Sequence, residues 1–310
     1  MLVLNYNYQK DIDNLVTISQ LQDSVRLVQE KFTKLQNQTF LTGYLVPESI
    51  TFCDSTYLLG KSEFGQRVQA GLLSNLQRRG SLITLWQRMG RFFTMIEKEL
   101  AKQALPSDLK YLVAWESWLD PRVYSAKRAA GLMQLTKESA KDQKLVVNKY
   151  IDERLDPIKS VPAGFKHFQQ NYLQLGDYLL AVAAYNMGAG ALNSRVKSQG
   201  IEDYVWLNLY QETERYLPSI LALKIIFSDP EKYLPGILAI KQFEPYSELS
   251  VKEVRLMQRS TLRKLAEIAS LSWLEFYQLN PQFLGRYLLP AGKYQVYYPK
   301  EKLVLKTSEY

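Results

Sequence analysis

Residues 107–134 read SDLKYLVAWESWLDPRVYSAKRAAGLMQ, and the fold turns on them. Leu109, Leu112, Val113 and Glu116 recur at i, i+3, i+4 and i+7, the spacing of one helix face. Ser107, after Pro106, is placed to cap the first turn, and Asp108 to favour the helix dipole. Asp120-Pro121 is expected to end the helix, because the residue before a proline avoids the α region. At a 100° step per residue, Glu116 falls within about 20° of Leu109, inside the apolar stripe. A carboxylate there is costly unless paired or protonated, and burial raises its pKa. Such an environment suits a general acid working near neutral pH. A buried Glu neutralised by an arginine, or one at the edge of the stripe, fits the same spacing.

The chain of 310 residues is long enough for two domains. Hydrophobic residues make up 46% and charged residues 23%, which excludes general disorder. The 21 Tyr and 5 Trp supply flat amphipathic rings that serve sugar binding and core packing alike. A net charge of +8 favours polyanions: nucleic acid, anionic lipid or a cell-wall polymer bearing carboxylates. No basic-aromatic motif or zinc-finger spacing is present, so nucleic acid is not expected as a partner. Cys53 is the single cysteine and His167 the single histidine, which excludes an internal disulfide and argues against a Cys/His metal site. Cys53 reads as a small packed side chain, and His167 as a helix-surface residue without an elbow motif nearby. No cofactor or metal is expected. No apolar run is long enough to cross a bilayer, and the N-terminus shows no export signal.

Outward from the central stretch, Ile18, Leu21, Val25, Val28, Phe32 and Leu35 trace a narrow helical seam. Short β-prone pieces such as Ser49–Phe52 follow, then helical periods over 66–76 and 82–103. Arg78, Arg79, Arg88 and Arg91 give this region a basic face, read as solvated. Thr136 caps a helix through Lys141, and Asp156-Pro157 or Ser160 starts another, into which Pro162 fits only within a first turn. Residues 173–185 are almost wholly apolar and predict a central helix ending at Asn186-Met187-Gly188. A further helix over 212–227 is expected to kink or restart at Pro218. No βαβ alternation occurs, so the middle of the chain is all-α. A β-α-α-β order closes the sequence, with a strand over 251–257, a helix capped by Ser260, a second capped by Ser272 and a strand over 293–298.

Three pieces in register then become recognisable: Glu116-Ser117 with Ser125 and Gly131-Leu-Met-Gln134; Ala183-Ala-Tyr-Asn-Met-Gly-Ala-Gly190; and Glu212-Thr-Glu-Arg-Tyr-Leu-Pro218. Together they resemble the family 1 lytic transglycosylases, the SLT domain, and most closely its membrane-bound D type. The likeness covers about residues 40 to 300. It implies a mainly α fold: a lysozyme-like (goose-type/SLT) core over 96–235, an N-terminal helical extension over 1–95, and a small C-terminal βααβ unit over 236–310. Leu279-Asn-Pro281 and Leu289-Pro-Ala-Gly292 make that last unit look like a divergent LysM module, a type that binds N-acetylglucosamine. A structural appendage without sugar binding fits the same residues.

The resemblance makes Glu116 the single catalytic acid/base, cleaving the MurNAc-GlcNAc bond with help from the substrate's acetamido group and leaving 1,6-anhydro-MurNAc ends. It places Ser125, Gln134 and Asn186 as saccharide-bonding or site-shaping residues, and Met133 and Tyr185 as groove lining. Tyr216 is expected near the acetamido group, and Glu212 as a structural or binding acid. Asp120 reads as a turn residue. Many relatives have glycine at Arg128 and proline at Lys137, departures that bear on substrate preference. The implied partner is the glycan strand of peptidoglycan, and the implied place is the cell envelope or periplasm. A hydrolytic muramidase on the same fold and a non-catalytic wall-binding protein are the alternatives.

Overall fold

The computed structural model describes residues 20–33, 44–245 and 249–299. Helix α1 covers 20–33, and its seam of Leu21, Val25, Val28 and Phe32 is exposed along its length. Ile18 and Leu35 lie outside the described residues. An antiparallel hairpin follows, β1 (Ser49–Phe52) against β2 (Ser55–Leu58). Its two turn residues, Cys53 and Asp54, both have positive φ, the geometry that suits a two-residue hairpin loop.

Helix α2 (Glu63–Leu76) starts where Ser62 Oγ accepts from Gly65 N, and α3 (Arg79–Lys102) follows it. Helix α4 (Lys110–Ser117) differs from the sequence expectation at both ends. Ser107 caps nothing: residues Ser107–Leu109 form a 3-10 turn with no side-chain cap. Asp108 is drawn away from the helix start, accepting from Cys53 N at 2.9 Å and Lys224 Nζ at 2.5 Å. The helix stops at Ser117, before Asp120-Pro121, because Trp118 and Leu119 adopt left-handed φ of 50° and 53°. That early turn swings Leu119 into the core, where it is fully buried. Proline therefore set only the latest possible end.

Thr136 caps α5 (Lys137–Asp142), and Asp156 caps α6 (Pro157–Leu175) by accepting from Ile158 N and Lys159 N. Pro162 sits inside α6 beyond the first turn, contrary to expectation. The carbonyl of Pro162 takes Gln103 Nε2 at 3.2 Å, which ties that turn to the end of α3. The apolar run 173–185 is two helices, not one. Gly176 takes φ 72° to end α6, and Asp177 caps α7 (Tyr178–Met187). Helices α8 (Ala189–Gln199), α9 (Gln211–Ser228) and α10 (Pro230–Tyr233) complete this part, with α9 unbroken at Pro218. α2 packs along α9, α6 against α7, and both α4 and α7 against α9. One apolar cluster runs from Ile50 to Ile237, with Leu179–Ala184 of α7 buried at its centre. Each fully buried Leu or Phe there contributes about 1.5–3 kcal/mol.

The C-terminal unit is β3 (Leu249–Leu256), α11 (Leu262–Ile268), α12 (Trp273–Leu279) and β4 (Gly292–Pro299). The strands pair antiparallel from Leu249↔Pro299 to Leu256↔Gly292. Thr261, not Ser260, caps α11, because Ser260 is committed to a backbone bridge with Leu289. Ser272 and Glu275 form a capping box on α12. Val254, Leu256, Leu265, Phe276 and Val296 belong to a second, smaller core. The unit is fastened to the helical part by backbone: Asp152 N donates to Gln282 O at 2.9 Å, and Leu284 N to Tyr150 O at 3.1 Å. Tyr297 O–H adds a bond to Asp156 Oδ2 at 2.8 Å.

Candidate active site

Glu116 occupies the last turn of α4, where the unpaired carbonyls at the helix end oppose negative charge. Its carboxyl is pushed up to about 7, chiefly by desolvation. The charge of Glu212 adds to the rise, and the hydroxyl of Tyr216, which donates to Glu116 Oε1, works against it. Tyr216 comes from α9, which lies against α4, so packing of those two helices makes the contact. The phenol of Tyr216 and that of Tyr185 are both pushed well above the usual tyrosine range by burial and by the nearby Glu116 charge. At neutral pH they are therefore hydrogen-bond donors.

A second layer fixes the loop beside this carboxyl. Tyr185 O–H donates to the Met133 carbonyl at 2.7 Å. The Met133 side chain is buried and presses on Gly164, where a Cβ would lie 2.4 Å from Met133 Cε. Met133 is thus turned into the core, and its carbonyl is what meets Tyr185. Gln134, at φ 44°, folds its amide back onto Gly131 O at 2.8 Å and Val123 O at 3.3 Å. Gln134 therefore shapes the loop. Gly131 has φ 78°, and a Cβ on it would meet Arg154 O at 1.8 Å, so only glycine fits.

The residues that hold this loop were not among those singled out in the sequence. Arg154 and Asp152 form a buried two-pronged pair, Nε to Oδ1 at 2.9 Å and Nη2 to Oδ2 at 2.7 Å. Arg154 Nη1 donates onward to the carbonyls of Arg128 at 2.8 Å and Leu135 at 3.1 Å, spanning the loop. Tyr124 O–H donates to Asp152 Oδ2 at 3.1 Å from the other side. Asp152-Glu153-Arg154 resembles surface charge in sequence; no periodic signal marks it as buried.

The remaining expected positions sit around this frame. Ser125 Oγ accepts from Ala129 N at 3.0 Å and closes the exposed 125–129 turn. Asn186 Oδ1 accepts from Thr213 Oγ1 at 2.8 Å, joining the end of α7 to α9. Glu212 is largely exposed and meets Lys127 at 3.3 Å, an ion pair of little energetic weight. Asp120 is a turn residue: it takes Arg122 N at 2.9 Å and Arg88 Nη2 at 3.1 Å. His167 lies half-buried on α6, its ring packed on Tyr185 with centroids 5.7 Å apart, and burial lowers its pKa. Cys53 is buried, its thiol pushed up by desolvation, which makes it unreactive. Among the described residues, no three of His, Cys, Asp and Glu gather as a metal site would require.

Tyr216→Phe removes the one donor that favours ionised Glu116. The carboxyl is then expected to titrate higher than about 7, and the alkaline limb of any Glu116-dependent rate to move to higher pH. A pH–rate profile of the variant beside the wild type measures this; an unmoved or acid-shifted limb contradicts the role of the contact.

The site thus sets one desolvated acid at the end of a short helix within a helical core. Over residues 93–205 the chain matches the family model described as transglycosylase SLT domain. It is 27% identical over 231 residues to membrane-bound lytic murein transglycosylase D of Escherichia coli K12, covering 73% of this chain and 50% of that protein. A putative tributyltin chloride resistance protein of Alteromonas sp. M-1 is 33% identical over 109 residues, 34% of this chain and 53% of that one. Among solved structures, a lytic transglycosylase Slt of Pseudomonas aeruginosa is 22% identical, with a TM-score of 0.35 over 48% of this chain and 26% of that one. The chain thus spans about half the length of the curated relatives it matches.

Proposed function

We propose that this chain is a lytic transglycosylase that cleaves the MurNAc-GlcNAc bond of peptidoglycan, with Glu116 as its single acid/base. The observation that carries the reading is a carboxyl titrating near 7 with no second carboxylate beside it in the described residues except the exposed, ion-paired Glu212. Ordinary glycosidases place two carboxyl groups across the scissile bond. One acid suffices where the substrate supplies the other group. Protonated Glu116 gives its proton to the glycosidic oxygen, and the C1–O bond breaks. The sugar's 2-acetamido group stabilises the cationic centre, with Tyr216 near it. Glu116, now ionised, takes the proton of the C6 hydroxyl, and O6 bonds to C1. No water is consumed, and the acid is restored.

We place Tyr185 and Gln134 on one side of the glycan groove and Ser125, Asn186 and Glu212 at its border, with Met133 packed behind them in the core, and the basic surface suits an anionic wall polymer. We assign 1–95 to an N-terminal mostly helical part, 96–235 to the catalytic domain and 236–310 to a LysM-like wall-binding unit, in the cell envelope. No described helix is long and apolar enough to cross a membrane. Mass spectrometry of digested sacculi tests the reaction. The expected products are anhydro-muropeptides, one water lighter than hydrolytic products; reducing ends alone would overturn it in favour of a muramidase.

A further inference from the structure

The apolar seam of α1 has no place in the chemistry above. Leu21, Val25, Val28 and Phe32 are each 54–64% exposed, and every other residue of 20–33 is exposed as well. The helix therefore does not bury its seam on the body of the protein. A helix of this length barely holds by itself, since isolated ones under about 12–15 residues are marginal in water. A cover for the seam would stabilise it, and the pattern of the seam selects that cover.

Its spacing is that of a coiled coil. Ile18, Leu21, Val25, Val28, Phe32 and Leu35 alternate steps of three and four, so they fill successive a and d positions without a break. Ile18 and Val25 fall at a, Leu21 and Leu35 at d. β-Branched residues at a with leucine at d favour two parallel strands. Val28 at d and Phe32 at a depart from that combination, which keeps so short a pair weak. The flanking e and g positions hold Gln22, Ser24, Gln29 and Lys31. In a parallel pair the g position of one strand faces the next e position of the other, so Ser24 meets Gln29 and no like charges meet.

The charges of the helix lie on its far side and are paired there: Arg26 meets Asp23 at 3.4 Å and Glu30 at 3.9 Å. Ser24 Oγ bonds back to Gln20 O at 2.8 Å. Asp23, Arg26, Glu30 and Lys31 sum to zero, so α1 lacks the cationic face with which amphipathic helices hold anionic lipid. We propose that α1 pairs in parallel with α1 of a second copy through the 18–35 seam, making the chain a weak, reversible dimer. Both chains then leave the seam at the same end, and a polymer held by one copy comes within reach of the other. That consequence rests on the peptidoglycan reading; the pairing does not.

Sedimentation equilibrium of the full chain is expected to show the mass rising from one chain toward two between about 1 and 200 µM, the range open to a short seam. Val25→Asp sets two carboxylates against each other at a and should weaken pairing at least about a hundredfold. Because the seam is exposed, that change should leave the thermal transition of the body where it was. Leu27→Asp, at an exposed c position off the seam, should leave pairing unchanged. Leu21→Cys reads the direction: d residues of a parallel pair face each other and should form a disulfide between chains, whereas in an antiparallel pair residue 21 lies toward the far end of its partner. Cys53, at 2% exposure, does not compete. A one-chain mass throughout, whether α1 then folds back on the body or binds vesicles of phosphatidylethanolamine and phosphatidylglycerol, overturns the proposal. So does association that Val25→Asp and Leu27→Asp weaken alike, or pairing without the cross-link at residue 21. Digestion of sacculi enters none of these readouts, so the pairing and the catalytic reading fail separately.

Discussion

Glu116→Gln is expected to lower the rate of sacculus digestion by about 10²–10⁴-fold, the usual worth of a positioned proton donor. Glutamine keeps the shape and can still accept from Tyr216, so the groove should stay folded and binding of glycan should survive. The pH dependence of the wild type is the companion measurement. The proposed cleavage requires Glu116 protonated, and its carboxyl is pushed up to about 7. The value of kcat/KM should therefore hold below pH 7 and fall about tenfold per unit above it. A rate that rises through pH 8, or digestion that persists in the glutamine variant, would remove Glu116 from its role. The same elevated carboxyl makes ionisation costly to the fold: from about pH 4.5 upward the native state holds a proton that the unfolded chain releases, so stability is lost until pH passes 7.

Arg154→Met should have the largest effect on stability. It leaves the carboxylate of Asp152 buried at 3% exposure, with Tyr124 as its main side-chain donor. Breaking one side of a buried pair costs about 3–5 kcal/mol. For a chain of this size that is a fall in Tm on the order of 10 °C. The carbonyls of Arg128 and Leu135 lose their shared donor as well, so activity should drop more than the loss of folded protein explains. Combining Asp152→Leu with Arg154→Met should recover part of the stability, because no charge is then left alone, without recovering the activity. Calorimetry of the three variants, paired with digestion rates, checks both halves; a double variant no more stable than the single one would show that the pair is not what braces this loop.

Much of this arrangement could be read beforehand, and the reasons for the misses are specific. Apolar spacing marked the helices around Glu116, and turn residues marked Thr136, Asp156 and Ser272 as caps, because those signals are local. Ser107 failed as a cap because Asp108 beside it is recruited by Cys53 and Lys224, partners 55 and 116 residues away. The end of α4 was misplaced because burial of Leu119, a tertiary gain, turns the chain before proline can. Gly176 was passed over within an apolar run whose two halves pack on different neighbours. Motif likeness pointed to Glu116 and Tyr216, which touch. It could not reveal Asp152 and Arg154, since three consecutive charged residues carry no mark of burial. The half-burial of His167 is invisible for a similar reason: its aromatic partner, Tyr185, comes from another helix.

The span 93–205 ends before α9 begins, yet α9 carries Tyr216 and is the ridge on which α2, α4 and α7 all rest. Beyond it, Gln282 and Tyr297 supply bonds to Asp152 and Asp156 from still farther along the chain. A recognisable motif and an autonomous folding unit are therefore different lengths of this polypeptide. Any trimming, grafting or fusion of this chain has to follow its wiring, which extends at least to β4.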